Sequence, residues 1–299
     1  MKFSNFSSVL SLLSLIPASQ AWGTLGHHTV AYVATNFVHP KTRVLFQSIL
    51  NDITPSYLAN IATWADTMRY VQGWGWSAPL HFIDAEDDPP HSCAVKYSRD
   101  CGEHGCIVGA IQNFTQQLLN PSLGAVQRSQ AAKFIVHFLG DIHQPLHDEG
   151  MAKGGNGIHV IFDGDEFNKY YKPLNLHSVW DTTIPEKIVG GNTLLDAENW
   201  AANLTTAIET GIYKTQVGAW TNSMNLADPA STALSWASET NVFVCTTVMP
   251  NGREAIEGTE LNGTYYEASA PVIELQIARA GYRLARWMDL IAGNFKTEL

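Results

Sequence analysis

The sequence predicts a single, mainly α-helical domain with a small β-hairpin. Apolar residues recur at three- and four-residue spacing, the period of an α-helix, along most of the chain. Only segment 157–164 has the pattern of a strand, and we expect it to form one arm of a hairpin. No repeat, low-complexity tract or linker rich in Pro, Gly and Ser divides the 299 residues, so one large core is expected.

The predicted helices follow one another along most of the chain. A glycine-rich start leads into a helix over 22–38, and further helical patterns cover 56–69, 107–119, 125–144, 194–211, 230–245 and 271–293. Residues 71–106 form a long irregular stretch. It contains Cys93, Cys101 and Cys106, and a stretch of this length is usually functional or tied down.

The first 21 residues have the features of a secretory signal peptide. Lys2 supplies the positive end, and the apolar run 9–17 is shorter than the roughly 20 residues that span a bilayer. Ser19 and Ala21 are the small residues expected before a cleavage point. Cleavage there leaves 278 residues that begin at Trp22, and we expect a secreted protein without a membrane helix. The alternative is an uncleaved N-terminal anchor.

The cysteines and glycosylation sequons suit a secretory route. Four cysteines in an oxidising compartment indicate two disulfides, with three possible pairings. Cys101 and Cys106 could close a short loop, which would leave Cys93 for Cys245. A zinc cluster of cysteines is the alternative, but the spacing lacks close C-x2-C pairs. Candidate glycosylation sites are Asn113, Asn203 and Asn262.

The charge balance argues against a broad basic surface. The formal net charge is −10, and it becomes −11 when Lys2 is removed with the leader. Only 18 residues are Lys or Arg. If this protein binds a polyanion such as nucleic acid, the attraction must therefore be local.

The segment HFLGDIHQPLHD, residues 137–148, has the spacing of metal ligands. His137 and Asp141 are four residues apart, so on a helix they share one face and can hold one ion. Pro145 ends or kinks that helix, and His147 then lies beyond the break.

A second pair with the same spacing, His177 and Asp181, occurs in LHSVWD. TWAD supplies Asp66 at the end of a predicted helix, and LHFID supplies His81 and Asp84. Imidazole and carboxylate ligands suit zinc, so these residues together predict a polynuclear metal site. The alternative is a set of core histidines with satisfied hydrogen bonds.

These motifs resemble the zinc-dependent S1/P1 nuclease family, above all its fungal P1-type members, along essentially the whole chain after residue 21. The matching motifs occur in the order WGTLGH, SYLANIATWAD, HFIDAEDDPP, RDCGEHGC, HFLGDIHQPLHDE, GGNGI, NLHSVWDT and AGYRLARW. The resemblance implies a fold of the phospholipase C/P1 nuclease type over 22–299, with three Zn²⁺ ions.

The resemblance also implies which residues hold each ion. The ligands of the first zinc are Asp66, His81, His137 and Asp141, and those of the second are His147, His177 and Asp181. The third is held by His27, by Asp141 as a bridge, and by the α-amino group and carbonyl oxygen of Trp22. Three Zn²⁺ ions against three carboxylates would make the pocket locally positive, which would attract phosphate to an otherwise acidic protein.

Further roles follow from the same resemblance. Asp66 lies beside the attacking water, and Arg69 stabilises the charged transition state, although by itself Arg69 would be interpreted as a plain surface charge. Substrate-binding positions that form a nucleobase slot are Phe82, Asp84, Gly155 and Asn156. Such a slot favours unpaired bases, because bases in a duplex are already stacked. His143 is not among the ligands, and we expect it near them or partly exposed.

The function that the resemblance implies is a secreted, monomeric endonuclease that hydrolyses single-stranded DNA and RNA to 5′-phosphorylated products and also acts on 3′-nucleotides. The enzymatic alternative is a trinuclear zinc phospholipase C, and the non-enzymatic one is a secreted zinc-binding protein. The segment DGDEFNKYYKPLN is longer than is usual in the family. It is either a solvated insertion or a rim, with Tyr170 and Tyr171, that contacts substrate.

Overall fold

The computed structural model describes residues 22–168 and 171–295. The predicted signal peptide therefore lies outside the described residues, as do Lys169 and Tyr170. The helices are α1 Thr24–Phe37, α2 Pro40–Leu50, α3 Trp64–Met68, α4 Tyr97–Asp100, α5 Ile107–Leu119, α6 Ala125–Asp141, α7 Leu176–Ser178, α8 Ile184–Val189, α9 Leu194–Glu209, α10 Val217–Trp220, α11 Pro229–Phe243 and α12 Thr264–Asn294. Short 3-10 turns occur at Ala59–Ile61, Gly75–His81, Pro145–Asp148 and Arg253–Ala255, and π-helical turns at Val179–Thr183 and Val244–Val248.

The core lies between the long helices. Helix α1 packs against α9 and α12, while α6 packs against α5, α12 and α2. From Ala131 onward nearly every side chain of α6 is buried. A Cβ atom at Gly281 of α12 would lie 2.5 Å from Cβ of Val33, so the missing side chain allows α12 to approach α1 closely. The fold is thus the mainly α-helical single domain that the sequence predicts.

Most predicted helices are present, and two differ. Helix α5 coincides with the predicted 107–119, and α12 begins earlier than expected, at Thr264. The pattern over 56–69 is not one helix but a 3-10 turn followed by the short α3. At this break the carbonyl of Ala62 accepts a hydrogen bond from His137 Nδ1 at 2.6 Å, so a tertiary contact replaces a helical one.

Helix α2 is not predicted by the apolar pattern, although its end signals are in the sequence. Pro40 occupies its first turn, and His39 Nδ1 accepts from the backbone N–H of Lys41. Asn51 ends the helix in the left-handed conformation, with φ of 53°.

The predicted hairpin is reduced to single bridges. Phe162 pairs with Asp165 across a turn, and Phe167 pairs with Pro173, but Ile161 pairs with Glu260 of a different segment. Because neighbouring residues of 157–164 bond to different partners, no continuous two-stranded ladder forms among the described residues.

Two disulfides tie down the irregular stretch. Cys101 bonds Cys106, and Cys93 bonds Cys245 in the π-helical turn that follows α11, with Cα atoms 5.9 Å apart in the second pair. All four cysteines are therefore used, and a zinc cluster of cysteines is excluded. None of the helices described in 22–168 and 171–295 is long and apolar enough to cross a membrane.

The three sequons differ in their surroundings. Asn113 on α5 and Asn203 on α9 are exposed. Asn262 is half-buried, its Nδ2 donates to the carboxylate of Asp163, and its Oδ1 accepts from Lys187 Nζ at 3.0 Å. The side chain of Asn262 is thus already engaged.

Candidate metal centre

Four predicted ligands meet around one buried point at the end of α6. Oδ2 of Asp141 lies 2.9 Å from His81 Nδ1 and 3.3 Å from His137 Nε2. Oδ1 of Asp66 lies 3.5 Å from His137 Nε2 and 3.8 Å from His81 Nδ1. All four side chains are at most 3% exposed. The i, i+4 spacing of His137 and Asp141 accordingly presents both groups on one helix face.

Asp141 connects this group to α1. While Oδ2 faces His81 and His137, Oδ1 lies 3.1 Å from His27 Nε2. The imidazole of His27 also stacks on that of His137, with ring centroids 3.9 Å apart. Asp141 therefore presents one oxygen to each of two neighbouring positions, which is the geometry of a bridging ligand.

A third group lies on the other side of Pro145. Helix α6 ends at Asp141, and the 3-10 turn that starts at Pro145 carries His147. Its Nε2 lies 3.1 Å from Nε2 of His177, which in turn is 3.1 Å from Oδ2 of Asp181. The structure thus brings seven predicted ligand side chains into two buried clusters. The first contains Asp66, His81, His137 and Asp141, and the second contains His147, His177 and Asp181.

Trp22, the first described residue, lies buried next to the segment that carries Asp181. Its side chain is fully buried, and the backbone N–H of Gly23 donates to the carbonyl of Asp181 at 2.7 Å. A Cβ atom at Gly26 would lie 2.8 Å from Cβ of Trp22. The absence of a side chain at Gly23 and at Gly26 therefore allows the start of the described chain to fold back onto its own first helical turn and onto the segment of Asp181.

Backbone carbonyls orient three of the imidazoles. Nδ1 of His147 lies 2.7 Å from the carbonyl of His81, and Nδ1 of His177 lies 2.5 Å from that of Gly154. His137 Nδ1 bonds Ala62 in the same way. We assign the proton to Nδ1 in each from these contacts, which leaves Nε2 with a lone pair. Histidines that bind metals are typically held like this.

The buried polar atoms fit a cation. With Nδ1 as donor, the two Nε2 lone pairs of His147 and His177 face each other at 3.1 Å, which is repulsive unless positive charge lies between them. Both ring nitrogens of His27 and Oδ1 of Asp141 are fully buried without a well-formed hydrogen bond. Buried groups of this kind need an explanation, and a bound cation supplies one.

The electrostatics of the clusters agree with this fit. Burial lowers the pKa of His27 and of His81, and burial with the neighbouring His177 lowers that of His147 to about 4. These imidazoles are therefore neutral and able to act as ligands at neutral pH. Burial opposes the charged form of His137 as well, but Asp141 and Asp66 outweigh it and raise its pKa to about 10. Without a cation beside these carboxylates, Nε2 of His137 would therefore carry a proton, and a bound metal ion would take the place of that proton. These carboxylates thus attract positive charge to the centre.

Arg69 is part of this centre rather than a plain surface charge. Its side chain is nearly buried, and Nη2 lies 3.0 Å from Oδ1 of Asp66. Burial would raise the pKa of Asp66, but His137 and Arg69 outweigh it and hold it at about 2. Asp66 is therefore a carboxylate over the working range of most proteins.

Gln144 and Gly154 support the ligands, and the sequence did not reveal them. Nε2 of Gln144 donates to Oδ1 of Asp181 at 2.5 Å, and Oε1 accepts from the N–H of Leu146 at 2.6 Å. Gly154, whose carbonyl holds His177, has a φ of 59°. The only sequence signals were a glutamine before Pro145 and the GG pair of GGNGI.

The proposed nucleobase slot involves two adjoining segments. Phe82 is half-buried and Asp84 is exposed, whereas Gly155 is buried and Asn156 half-buried. The backbone N–H of Gly150 donates to the carbonyl of Ala85 at 3.0 Å, which brings the 82–85 segment against the loop that leads to Asn156.

His143 lies outside the clusters and is fully buried rather than partly exposed. Its Nδ1 bonds the carbonyl of Leu139, and its Nε2 lies 3.0 Å from Nη1 of Arg283. Burial and the neighbouring Arg283 hold the pKa of His143 well below the usual value. His143 is therefore neutral, and its Nε2 accepts a hydrogen bond from Arg283.

Replacing Gly140 with alanine is expected to displace His27. A Cβ atom at Gly140 would lie 2.8 Å from His27 Nδ1, far inside van der Waals contact. We expect Gly140→Ala to lose metal content and to reduce activity by about 10- to 100-fold or more, the loss typical of a disturbed ligand environment. Elemental analysis and steady-state kinetics check this.

Gly293→Ala, in helix α12 with nothing within 4 Å of its Cβ, is the matched control and is expected to retain both metal content and activity. Full metal content in Gly140→Ala would contradict the role of this close approach.

The chain is similar to known proteins along most of its length. The profile of the S1/P1 Nuclease family matches residues 22–293. Nuclease S1 of Aspergillus oryzae (strain ATCC 42149 / RIB 40) is 49% identical over 282 residues, which cover 94% of this chain and 96% of that protein. Nuclease P1 of Penicillium citrinum is 50% identical over 273 residues, covering 91% and 98%. Endonuclease 3 of Arabidopsis thaliana is 31% identical over 290 residues, covering 95% and 93%.

Proposed function

This chain belongs to the S1/P1 nuclease family, and on that premise we propose that it is a secreted, zinc-dependent endonuclease that hydrolyses single-stranded DNA and RNA. It is a hydrolytic nuclease. The relatives that match over most of its length are nucleases, so the phospholipase C alternative is not favoured. We further propose 5′-phosphorylated products, 3′-nucleotidase activity, and action as a monomer away from membranes.

The observation that carries the proposal is the bridging position of Asp141 between two buried His–Asp groups, with a third group nearby. The donor set contains only imidazole and carboxylate, which suits zinc. One ion would be held by Asp66, His81, His137 and Asp141, and a second by His147, His177 and Asp181. The third would be held by His27, Asp141 and the amine and carbonyl of Trp22. The family match begins at Trp22, which supports a mature N-terminus at that residue.

Zinc ions bound there would supply Lewis-acid activation of water and of phosphate oxygens. The residues of the chain do the rest. Asp66, held as a carboxylate beside Arg69, accepts a hydrogen bond from the attacking water and orients it toward phosphorus. Arg69 donates to the phosphate oxygens, whose negative charge grows in the transition state. The leaving oxygen departs on the side of His147, His177 and Asp181.

Substrate selection in this proposal depends on the slot formed by Phe82, Asp84, Gly155 and Asn156. The ring of Phe82 stacks on a base, and polar groups of Asp84 and Asn156 contact its edge. A base can enter only when it is unpaired, since flipping it out of a duplex costs a few kcal/mol. The exposed Tyr171 would lie on the rim proposed for the 165–175 insertion. We also propose glycans at the exposed Asn113 and Asn203, with Asn262 as the third candidate.

A direct assay tests the function. Purified protein is incubated with heat-denatured DNA, RNA, duplex DNA and a choline phospholipid. We expect acid-soluble products from the first two substrates, with 5′-phosphate ends, and much slower release from the duplex. Turnover of the lipid without nucleic-acid cleavage would replace the proposal with the phospholipase. A zinc-loaded protein that cleaves none of them would indicate a binding protein.

Replacing Arg69 with glutamine is expected to lower kcat by about 10²- to 10³-fold, the cost of losing one preorganised donor to a charged transition state. Zinc content should be retained, because the guanidinium of Arg69 is a cation without a lone pair to offer a metal ion, and glutamine leaves the carboxylate of Asp66 in place. Kinetics on denatured DNA together with elemental analysis check both parts. Arg253→Gln removes an exposed arginine paired with Glu257 and serves as the control. If the two variants behave alike, Arg69 has no role in the transition state.

A further inference from the structure

Exposed aromatic side chains lie directly beside Arg69, in the segment 69–76. Tyr70 is 59% exposed and Trp76 is 52% exposed, and Val71 between them is also exposed. Large aromatic side chains are usually well buried, and exposed apolar patches are typical of binding surfaces. The exposure of these side chains next to Arg69 therefore indicates a binding surface. We call Tyr70, Val71 and Trp76 the aromatic ledge.

The Trp76 end of the ledge packs on buried and half-buried aromatic rings. Trp76 stacks on Trp74 with centroids 5.8 Å apart and also packs against Phe134 of α6 at 5.8 Å. Trp74 meets the edge of Trp64, the first residue of α3, at 5.4 Å. The backbone turns tightly here, with Val71 N–H donating to the carbonyl of Met68 at 2.8 Å. These contacts connect Trp76, through Trp74, to the helix that carries Asp66.

The ledge is continuous with the candidate centre through Arg69. The guanidinium contacts Oδ1 of Asp66 at 3.0 Å, and its central carbon lies 5.2 Å from the centroid of the Tyr70 ring. The same cation thus touches a carboxylate of the buried cluster and an exposed ring. A phosphate bound by Arg69 would place its attached nucleoside within reach of Tyr70.

We propose that the aromatic ledge is a second nucleobase subsite, at which Tyr70 stacks on a base of the single strand next to the phosphate bound at Arg69. The proposal rests on the nuclease function proposed above and adds a site to the slot of Phe82. The occupant is a single-stranded nucleic acid because an arginine for phosphate and an exposed ring for a base stand side by side. Stacking on one ring tolerates any base, so the ledge strengthens binding without selecting a sequence.

The test compares Tyr70→Ala with Tyr70→Phe, which keeps the ring and loses only the hydroxyl. Each variant is assayed on a short single-stranded oligonucleotide and on a chromogenic phosphodiester that carries no nucleobase. We expect KM for the oligonucleotide to rise about tenfold or more in Tyr70→Ala, the fold-change produced by loss of one base stack. Tyr70→Phe should match the unmodified protein, and neither variant should change kinetics on the chromogenic substrate. The thermal midpoint of Tyr70→Ala should be unchanged, since Tyr70 is mostly exposed.

Each other outcome has a distinct meaning. If Tyr70→Ala loses activity equally on both substrates, Tyr70 acts through Arg69 and the subsite is wrong. If Tyr70→Ala retains the KM for the oligonucleotide, the ledge does not bind the strand, while the nuclease function stands. If the unmodified protein cleaves no single strand, the proposed function itself fails.

Discussion

Asp141→Asn is expected to abolish nuclease activity and to remove more than one metal ion from each molecule. The two oxygens of Asp141 face different partners, Oδ1 toward His27 and Oδ2 toward His81 and His137. An asparagine offers one oxygen and one N–H2 donor, so one of the two positions would meet a donor in place of an acceptor. We expect activity to fall by about 10³-fold or more, beyond the cost of losing a single electrostatic contact. Elemental analysis and kinetics on denatured DNA measure both effects.

Asp181→Asn is the matched control for this prediction. Asp181 belongs to the group of His147 and His177 alone, so its loss should remove about one ion and leave the others. A full complement of metal in Asp141→Asn, or the same loss in both variants, would show that Asp141 does not bridge two positions.

The second large effect is expected when Ala21 is retained before Trp22. Trp22 is fully buried, and the adjacent N–H of Gly23 is bonded to the carbonyl of Asp181. If the amine of Trp22 is a ligand, an added residue turns it into an amide, whose nitrogen has no available lone pair. We expect one ion fewer per molecule and a loss of activity of about 100-fold or more, because losing a residue that merely hydrogen-bonds to a metal ligand already costs about 10- to 100-fold.

Protein with Ala21 retained can be compared with protein that begins at Trp22, with the start of each verified by N-terminal sequencing. An alanine added after Leu299 is the control, since it lengthens the chain at the other end. Full activity and unchanged metal content with Ala21 retained would refute the role of the amine.

Much of the fold was predictable because its helices carry strong local patterns. Helices α5, α9 and α11 lie close to the predicted ranges, since their apolar faces repeat at the helical period. The break at Ala62 was not predictable, because it comes with a hydrogen bond from His137, 75 residues later. The predicted hairpin does not form a continuous ladder for a similar reason, because Ile161 pairs with Glu260, far along the chain.

The sequence does not identify the residues that orient or accommodate the ligand side chains. Gly154 and Ala62 act through backbone carbonyls, which every residue has, so no side chain marks them. Gly140 matters because His27 lies against it, and that proximity depends on how α1 packs on α6. The role of Gln144 depends on the contact between its amide and the carboxylate of Asp181, which the sequence does not specify.

Residue type and local spacing in the sequence determined the two His–Asp pairs, the helix face shared by His137 and Asp141, and the break at Pro145, while the ligand roles of Trp22 and His27 followed only from the family resemblance. Only the tertiary structure decided that Asp141 faces two groups at once, that Arg69 is buried against Asp66, and that Tyr70 stands exposed beside it. Those facts arise where helices and turns distant in sequence pack together. Packing of that kind depends on the shape of the whole core, and no local pattern specifies it.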